Sequence, residues 1–330
     1  MVRTAAVLAL LVAVLAAERA GAPGPRPRWV VAASAPPDSP LIQLATEPYM
    51  ARLEQVTGVR VVRRWGSTGG DEATMVEGAT LGRIQLAFVS AGALARALPS
   101  IGVLDVPHLF DDHRTMLART RLPRLEQPGL SAELKKAHLS LAAGPFFAGW
   151  RSVSSLRAVR SPGDLRGLRV RSQSSPIQLA MWRALGATPL ETDMREVALA
   201  LRSRSIEVVD LPPLWLFATS AASEVKHFTP TRHIMQTAFG VFHRETFEAL
   251  PAPVRQAARQ VLEEAVQKAC LVSEQLEREL VELLPKQGVE VHALDARERE
   301  AWRAALAPVA AQASSLGPAA EQLLEAVRRP

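Results

Sequence analysis

Asparagine is absent from the 330-residue sequence, and cysteine occurs once, at Cys270. The first absence takes one type of side-chain amide away from every site the chain could build. The second excludes an internal disulfide framework and a cysteine-based metal site. Cys270 lies in the helical run Val261–Leu284 and reads as a small buried apolar residue. Also missing is any basic tract. Thirty-four of the 39 basic residues are Arg, yet the only adjacent arginine pairs are Arg63-Arg64 and Arg328-Arg329. A net charge of +6 spread in this way suits a weak general attraction for anionic solutes and excludes a nucleic-acid face. The catalytic signatures are missing as well. None of the seven histidines stands at metal-ligand spacing, and there is no Gly-x-Ser-x-Gly elbow, Walker loop or dinucleotide fingerprint. No metal, cofactor or enzymatic activity is therefore expected.

What is present begins at the N-terminus. Arg3 precedes the apolar run Ala5–Ala17, which is followed by Glu18 and Arg19. This matches a secretory signal and is short of the roughly 20 residues a membrane span requires. Residues 1–22 are expected to be the signal peptide, with Ala16, Ala17, Ala20 and Ala22 offering alternative cleavage points, and the mature chain is expected in the periplasm. No cysteine follows the run, so a lipoprotein anchor is excluded.

Beyond it, the pattern predicts strands at Trp29–Ala33, Val59–Trp65 and Ile84–Val89, separated by helices at Leu41–Thr57 and Ala73–Leu81. This alternation argues for α/β lobes with largely parallel sheets. Short strands resume at Leu139–Ala143, Leu168–Arg171 and Val208-Val209. Short helices are read at Pro176–Leu185 and Arg195–Leu201, and longer helical runs at Pro253–Leu284 and Ala296–Ala311.

Two segments carry chemistry on their residues alone. The glycine loop Gly66–Asp71 sits between a strand and a helix, where free backbone N–H groups attract anions; Gly70 and Asp71 form either a capped turn or a ligand loop. In Asp164–Ser172, strand alternation puts Arg169 and Arg171 on one face, opposite Leu168 and Val170. A planar guanidinium at a strand's end suits a carboxylate held by two parallel hydrogen bonds.

Four segments in order then form a recognisable set: Gly70-Asp71-Glu72 through Gly82-Arg83-Ile84; Leu104-Asp105-Val106-Pro107-His108-Leu109-Phe110; Gly149-Trp150-Arg151 with Ser161-Pro162-Gly163-Asp164 through Arg171; and Met181-Trp182-Arg183 through Pro189. Together they resemble the solute receptors of tripartite ATP-independent periplasmic (TRAP) transporters, of the dicarboxylate-receptor (DctP-like) type. The resemblance implies a two-lobed periplasmic-binding-protein fold of the α/β class, each lobe a mixed sheet flanked by helices, with a long helix bracing the hinge. It places lobe I at 29–150 plus about 237–275 and lobe II at 151–236 plus about 276–330. Hinges are expected near Gly149 and near Thr237–Gly240. It implies no enzymatic activity and no cofactor. The implied partners are a small organic acid and the membrane permease that receives it, with the receptor itself monomeric.

By position, the resemblance makes Arg171 the residue that pins the ligand carboxylate, with Arg151 assisting. Phe88 and Ser90, at a strand end, and the glycine loop would line the first lobe's side, and Ser172 and Asp210 the second. The chain also departs from the family: the usual ligand-binding Asn falls on Leu211, and a Gly on Arg204. With Trp215, Phe217, Phe146 and Phe147 nearby, the cleft is expected to be more apolar than in sugar-acid or C4-dicarboxylate receptors. A larger, partly hydrophobic ligand in a divergent TRAP-like system and a secreted enzyme on a similar fold remain alternatives.

Overall fold

The computed structural model describes residues 26–329, so the expected signal segment lies outside the described residues. Among the described residues, ten strands form one mixed sheet in the order β2-β1-β3-β9-β5-β8-β6-β7, with β4 and β10 also paired to β9. In chain order they are β1 (Arg28–Ala33), β2 (Arg60–Trp65), β3 (Leu86–Ser90), β4 (Leu139–Leu141), β5 (Phe146–Ser155), β6 (Arg169–Ser172), β7 (Thr188–Glu191), β8 (Val208–Val209), β9 (His227–His243) and β10 (Glu290–Val291).

The sheet has two parallel wings joined by two long antiparallel strands. β1 pairs in parallel with β2 and β3 in the first wing, and β6 with β7 and β8 in the second. β9 serves both wings. Its Ala238–Phe242 stretch pairs with β3, and its His227–Thr229 stretch with the far end of β5. Neither β5 nor β9 is predicted from the sequence pattern, because both change character at mid-length. The β5–β9 register shifts twice, once on each side of Trp150-Arg151. Pro230 lies in the second irregular stretch, and Arg232 adopts φ 44° there. Such bulges re-aim side chains and suit a place where one wing hands over to the other.

The expected single helix over Leu41–Thr57 is instead two, Pro40–Ala45 and Glu47–Thr57. Pro48 has no N–H to donate, so Thr46 leaves helical geometry, with φ −121°, and the chain restarts. The other early expectations hold. Gly58 closes its helix in the left-handed conformation, and the Asp71 carboxylate caps the helix Glu72–Thr80 by accepting from the Thr74 N–H at 2.6 Å.

The long helix is Ala252–Leu283. Its apolar face packs on the helices Pro40–Ala45, Glu47–Thr57 and Pro213–Ala218 and on β5, so it braces both wings. Cys270 is buried on that face; its sulfur accepts the Phe147 N–H at 3.2 Å, and burial pushes the thiol up to about 11. The last helix, Pro318–Arg328, packs on Pro99–Asp105 and Pro128–Lys136. Both partners fall within 29–150, the stretch expected to form the first lobe. No helix among the described residues is long and apolar enough to cross a membrane.

Candidate functional site

A cavity of about 700 Å³ opens between the wings. On the first side it is lined by the glycine loop and the start of the helix Glu72–Thr80. On the second it is lined by the end of β6, the segment after β7 and the helix Pro213–Ala218. The topology places them there: parallel strands end together, and ligands bind outside their carboxyl ends.

Arg171 is the principal side chain. Strand alternation separates it from Val170, which is fully buried, but it does not share the fate of Arg169. Arg169 is exposed and donates to the carbonyls of Ser205 and Arg204, whereas Arg171 is only 5% exposed. The Arg171 Nε donates to the Thr192 carbonyl at 3.1 Å; its Nη1 is buried and has no partner. Burial first, and then the neighbouring Arg151 guanidinium, push its pKa down to about 10. A buried guanidinium with an unused donor is an incomplete site, since desolvated charge is costly until it is paired.

Arg151 is in the opposite state. It is 1% exposed, and its Nε and Nη2 grip Asp210 at 2.9 and 2.6 Å. Its Nη1 donates to Gln236 at 2.8 Å and to Gln173 at 3.2 Å. Burial opposes the ionisation of Asp210, but Arg151 and the adjacent His233 outweigh it and hold this carboxyl below its ordinary value. Both residues lie behind the cavity wall rather than in it. Here the Arg151–Asp210 ion pair seats Gln236, which lines the cavity, and Gln173, which lines it too.

From Gln173 the network crosses to the other wing. Its Nε2 donates to Glu72 and to the Ser90 hydroxyl at 3.3 and 3.2 Å, and Ser90 donates to Glu72 at 2.5 Å. Burial raises the pKa of Glu72, against the Ser90 donors and the nearby Arg171 and Arg151 charges. Gln178 makes a second crossing, donating to Asp105 at 2.8 Å. Gly92 leaves space for both crossings: a Cβ there would sit 2.7 Å from Gln173 Oε1 and 2.9 Å from Asp105 Oδ2.

Of the predicted residues, Gly70, Asp71, Arg171, Ser172 and Trp215 line the cavity. Phe88 lines a smaller space, about 40 Å³, that adjoins it through Ser34, Glu72, Trp215 and Gln236. This annex is walled largely by Leu41, Ile42, Phe88, Phe146 and Leu214. Trp215 stands at the junction, and its buried Nε1 has no partner. Ser90 is 2% exposed and acts through Glu72. Phe147 is core, packed against Trp150 and His113. Leu211 is fully buried and lines neither space; the apolar surface beside the cavity is that of the annex. Glu72, Gln173 and Gln236 were not anticipated. Glu72 adjoins the predicted Asp71, and Gln173 the predicted Ser172, so proximity to the loops was the available signal.

Comparison with known proteins places this geometry in a lineage. Residues 31–315 match the family described as bacterial extracellular solute-binding protein, family 7 (DctP). A protein of Verminephrobacter eiseniae strain EF01-2 called solute-binding protein is 30% identical over 283 residues, 82% of this chain and 80% of that one. The 2,3-diketo-L-gulonate-binding periplasmic protein of Escherichia coli K12 is 28% identical over 68% of each chain. Among solved structures, a TRAP periplasmic solute-binding protein from Bordetella bronchispeptica, with density attributed to pantoate, superposes with a TM-score of 0.80. It is 24% identical and covers 92% of this chain and 99% of its own. A Sulfitobacter receptor with bound β-D-galacturonate gives 0.81 at 20% identity, covering 91% and 99%. The fold is thus that of the two-lobed TRAP receptors, and the chain belongs to bacterial extracellular solute-binding protein family 7.

Proposed function

We propose that this protein is a periplasmic receptor that captures a small monocarboxylate with a compact apolar branch and passes it to a TRAP-type permease. The observation that carries the reading is the buried, unpartnered Nη1 of Arg171 on a 700 Å³ cavity between two wings. A carboxylate completes that guanidinium with short charge-assisted hydrogen bonds. The unused Trp215 N–H offers a second donor, and the annex beside it accepts a few carbon atoms. Relatives that carry ligand names support the acid class: their names include C4-dicarboxylate and sialic acid. The receptor works as a monomer whose wings close by bending where β5 and β9 cross, near Gly149 and Thr237. It binds and releases its ligand without transforming it.

Titration calorimetry on the mature protein tests this with pantoate, succinate and D-galacturonate. The branched monocarboxylate is expected to bind at least about tenfold tighter than the other two, from burial of one or two carbon groups. Tighter binding of succinate or galacturonate would overturn the apolar branch. Absence of binding to any organic acid would overturn the receptor reading itself.

A further inference from the structure

At the opposite end of β9 from the cavity, three side chains converge: His227, Glu290 and His292. They come together because β10 lies parallel to the start of β9, with Glu290 in register with His227. The His292 N–H donates to the Phe228 carbonyl at 2.8 Å and continues the ladder. The His227 Nδ1 lies 3.0 Å from the His292 Nε2 and 3.4 Å from the Glu290 Oε2. The two rings are nearly parallel, 18° apart, with centroids 5.1 Å from each other. His292 is 8% exposed, whereas Glu290 is open to solvent.

We propose that His227, Glu290 and His292 form a binding site for a borderline divalent transition-metal ion, Zn(II) foremost. The donor set is two imidazole nitrogens and one carboxylate oxygen, which suits Zn(II), Ni(II) and Cu(II) and not Mg(II) or Ca(II). Two neighbouring ligand atoms on a tetrahedral zinc ion stand roughly 3.3 Å apart, given bond lengths of about 2.0–2.1 Å. The two edges from His227 Nδ1, 3.0 and 3.4 Å, bracket that value, and all three ligand atoms lie within 4.8 Å of one another. Three protein ligands leave a fourth position for solvent. A proton bridges the two facing ring nitrogens in the free protein, and ligation moves it to the far nitrogen of its ring or to solvent. The other oxygen, Glu290 Oε1, lies 3.4 Å from Arg160 Nη2 and 3.4 Å from His292 Nδ1, which leaves Oε2 to ligate. Lys226, next to His227, is the other nearby cation.

Along β9 the site lies roughly 25–30 Å from Gln236 in the cavity wall, at about 3.3 Å per residue. It is therefore separate from the solute site, and it clamps the C-terminal segment to the sheet edge.

The test uses the mature chain with any affinity tag removed, dialysed free of metal, and titrated with ZnCl2 at pH 7.5. One Zn(II) per chain is expected to bind with a Kd of about 10 μM or tighter. His227→Gln and Glu290→Gln, both at solvent-accessible positions, are each expected to weaken it at least about tenfold. His138→Gln, an exposed histidine paired with Glu245 elsewhere, should leave it unchanged. Cobalt(II) substitution gives an independent readout, with intense visible bands for a tetrahedral site in the native chain and loss of those bands in the variants. Absence of saturable binding below about 100 μM would overturn the proposal. So would binding that survives combining His227→Gln with Glu290→Gln, or that is lost in His138→Gln instead.

Discussion

Two arginines near one cavity have divided the work. Arg151 spends its donors on Asp210, Gln236 and Gln173 and holds the wall; Arg171 keeps one donor free. The distinction predicts opposite consequences for the same kind of substitution. Arg171→Met removes a buried charge that lacks a carboxylate partner, so the ligand-free protein is expected to unfold at an equal or higher temperature. Its affinity for a carboxylate should fall by about 3 kcal/mol, roughly 100-fold. Differential scanning calorimetry and titration calorimetry on the same preparation read both quantities; a Tm loss with affinity intact would reverse the assignment. Trp215→Phe poses a gentler question. The indole N–H is unsatisfied in the ligand-free cavity, so its removal costs the fold nothing. An affinity loss of about 1 kcal/mol, measured calorimetrically, is expected if the ligand accepts from it. Unchanged affinity would make Trp215 an apolar wall only.

At the scale of elements, the crossing between wings is where backbone and charge are most tightly constrained. Gly149 in β5 holds φ 105°, and a Cβ there would come within 2.6 Å of Pro212 Cβ and 3.0 Å of Glu277 Oε2. Glu277, from the long helix, accepts the Trp150 N–H at 3.3 Å, and burial lifts its pKa from 4.5 to about 7, opposed by that bond and by Arg232. Because the folded value lies above the unfolded one, nothing is lost below pH 4.5, where both states hold the proton. Stability then falls as pH rises through the window from 4.5 to about 7, and the full loss persists above it. The size is on the order of 3 kcal/mol. Glu277→Gln keeps an acceptor for Trp150 and is expected to flatten the pH dependence of urea unfolding between about pH 5 and 8, across the titration window. A slope equal to that of the native chain would remove Glu277 from this role. These elements also mark the limit of what the sequence makes legible. Strands such as β1 and β6 and the helix Ala252–Leu283 keep one period throughout, and the pattern finds them. β5 and β9 change register at Trp150-Arg151 and around Pro230, so no single alternation runs through them. The site follows the same rule. Arg171, Ser172, Gly70 and Asp71 sit at ends of regular elements and were readable. Leu211 and Arg151 were placed by motif position, and only three-dimensional packing reveals that both stand behind the wall. The His227–Glu290–His292 cluster brings together residues 65 apart through the β9–β10 pairing, beyond any local spacing rule.

For the whole molecule, the issue is how occupancy becomes shape. The wings touch across the cavity through Gln173 with Glu72 and Ser90, and through Gln178 with Asp105. Two of these bonds are accepted by carboxylates and one by a hydroxyl, contributing about 1–3 kcal/mol each. A ligand that bridges Arg171 on one side and the glycine loop on the other adds affinity for the closed form alone, and only such a difference shifts the population. The crossing bonds then set how much ligand energy closure requires. Gly92 is the sensitive point, since any side chain there drives Gln173 and Asp105 apart. Gly92→Ala should leave both wings folded, lower ligand affinity by roughly tenfold through loss of these bonds, and blunt the ligand-induced decrease in radius of gyration seen by small-angle scattering. Were Gly92→Ala to contract on binding as fully as the native chain, the amide bridge would be a bystander, and closure would depend on the ligand and on the bending of β5 and β9 alone.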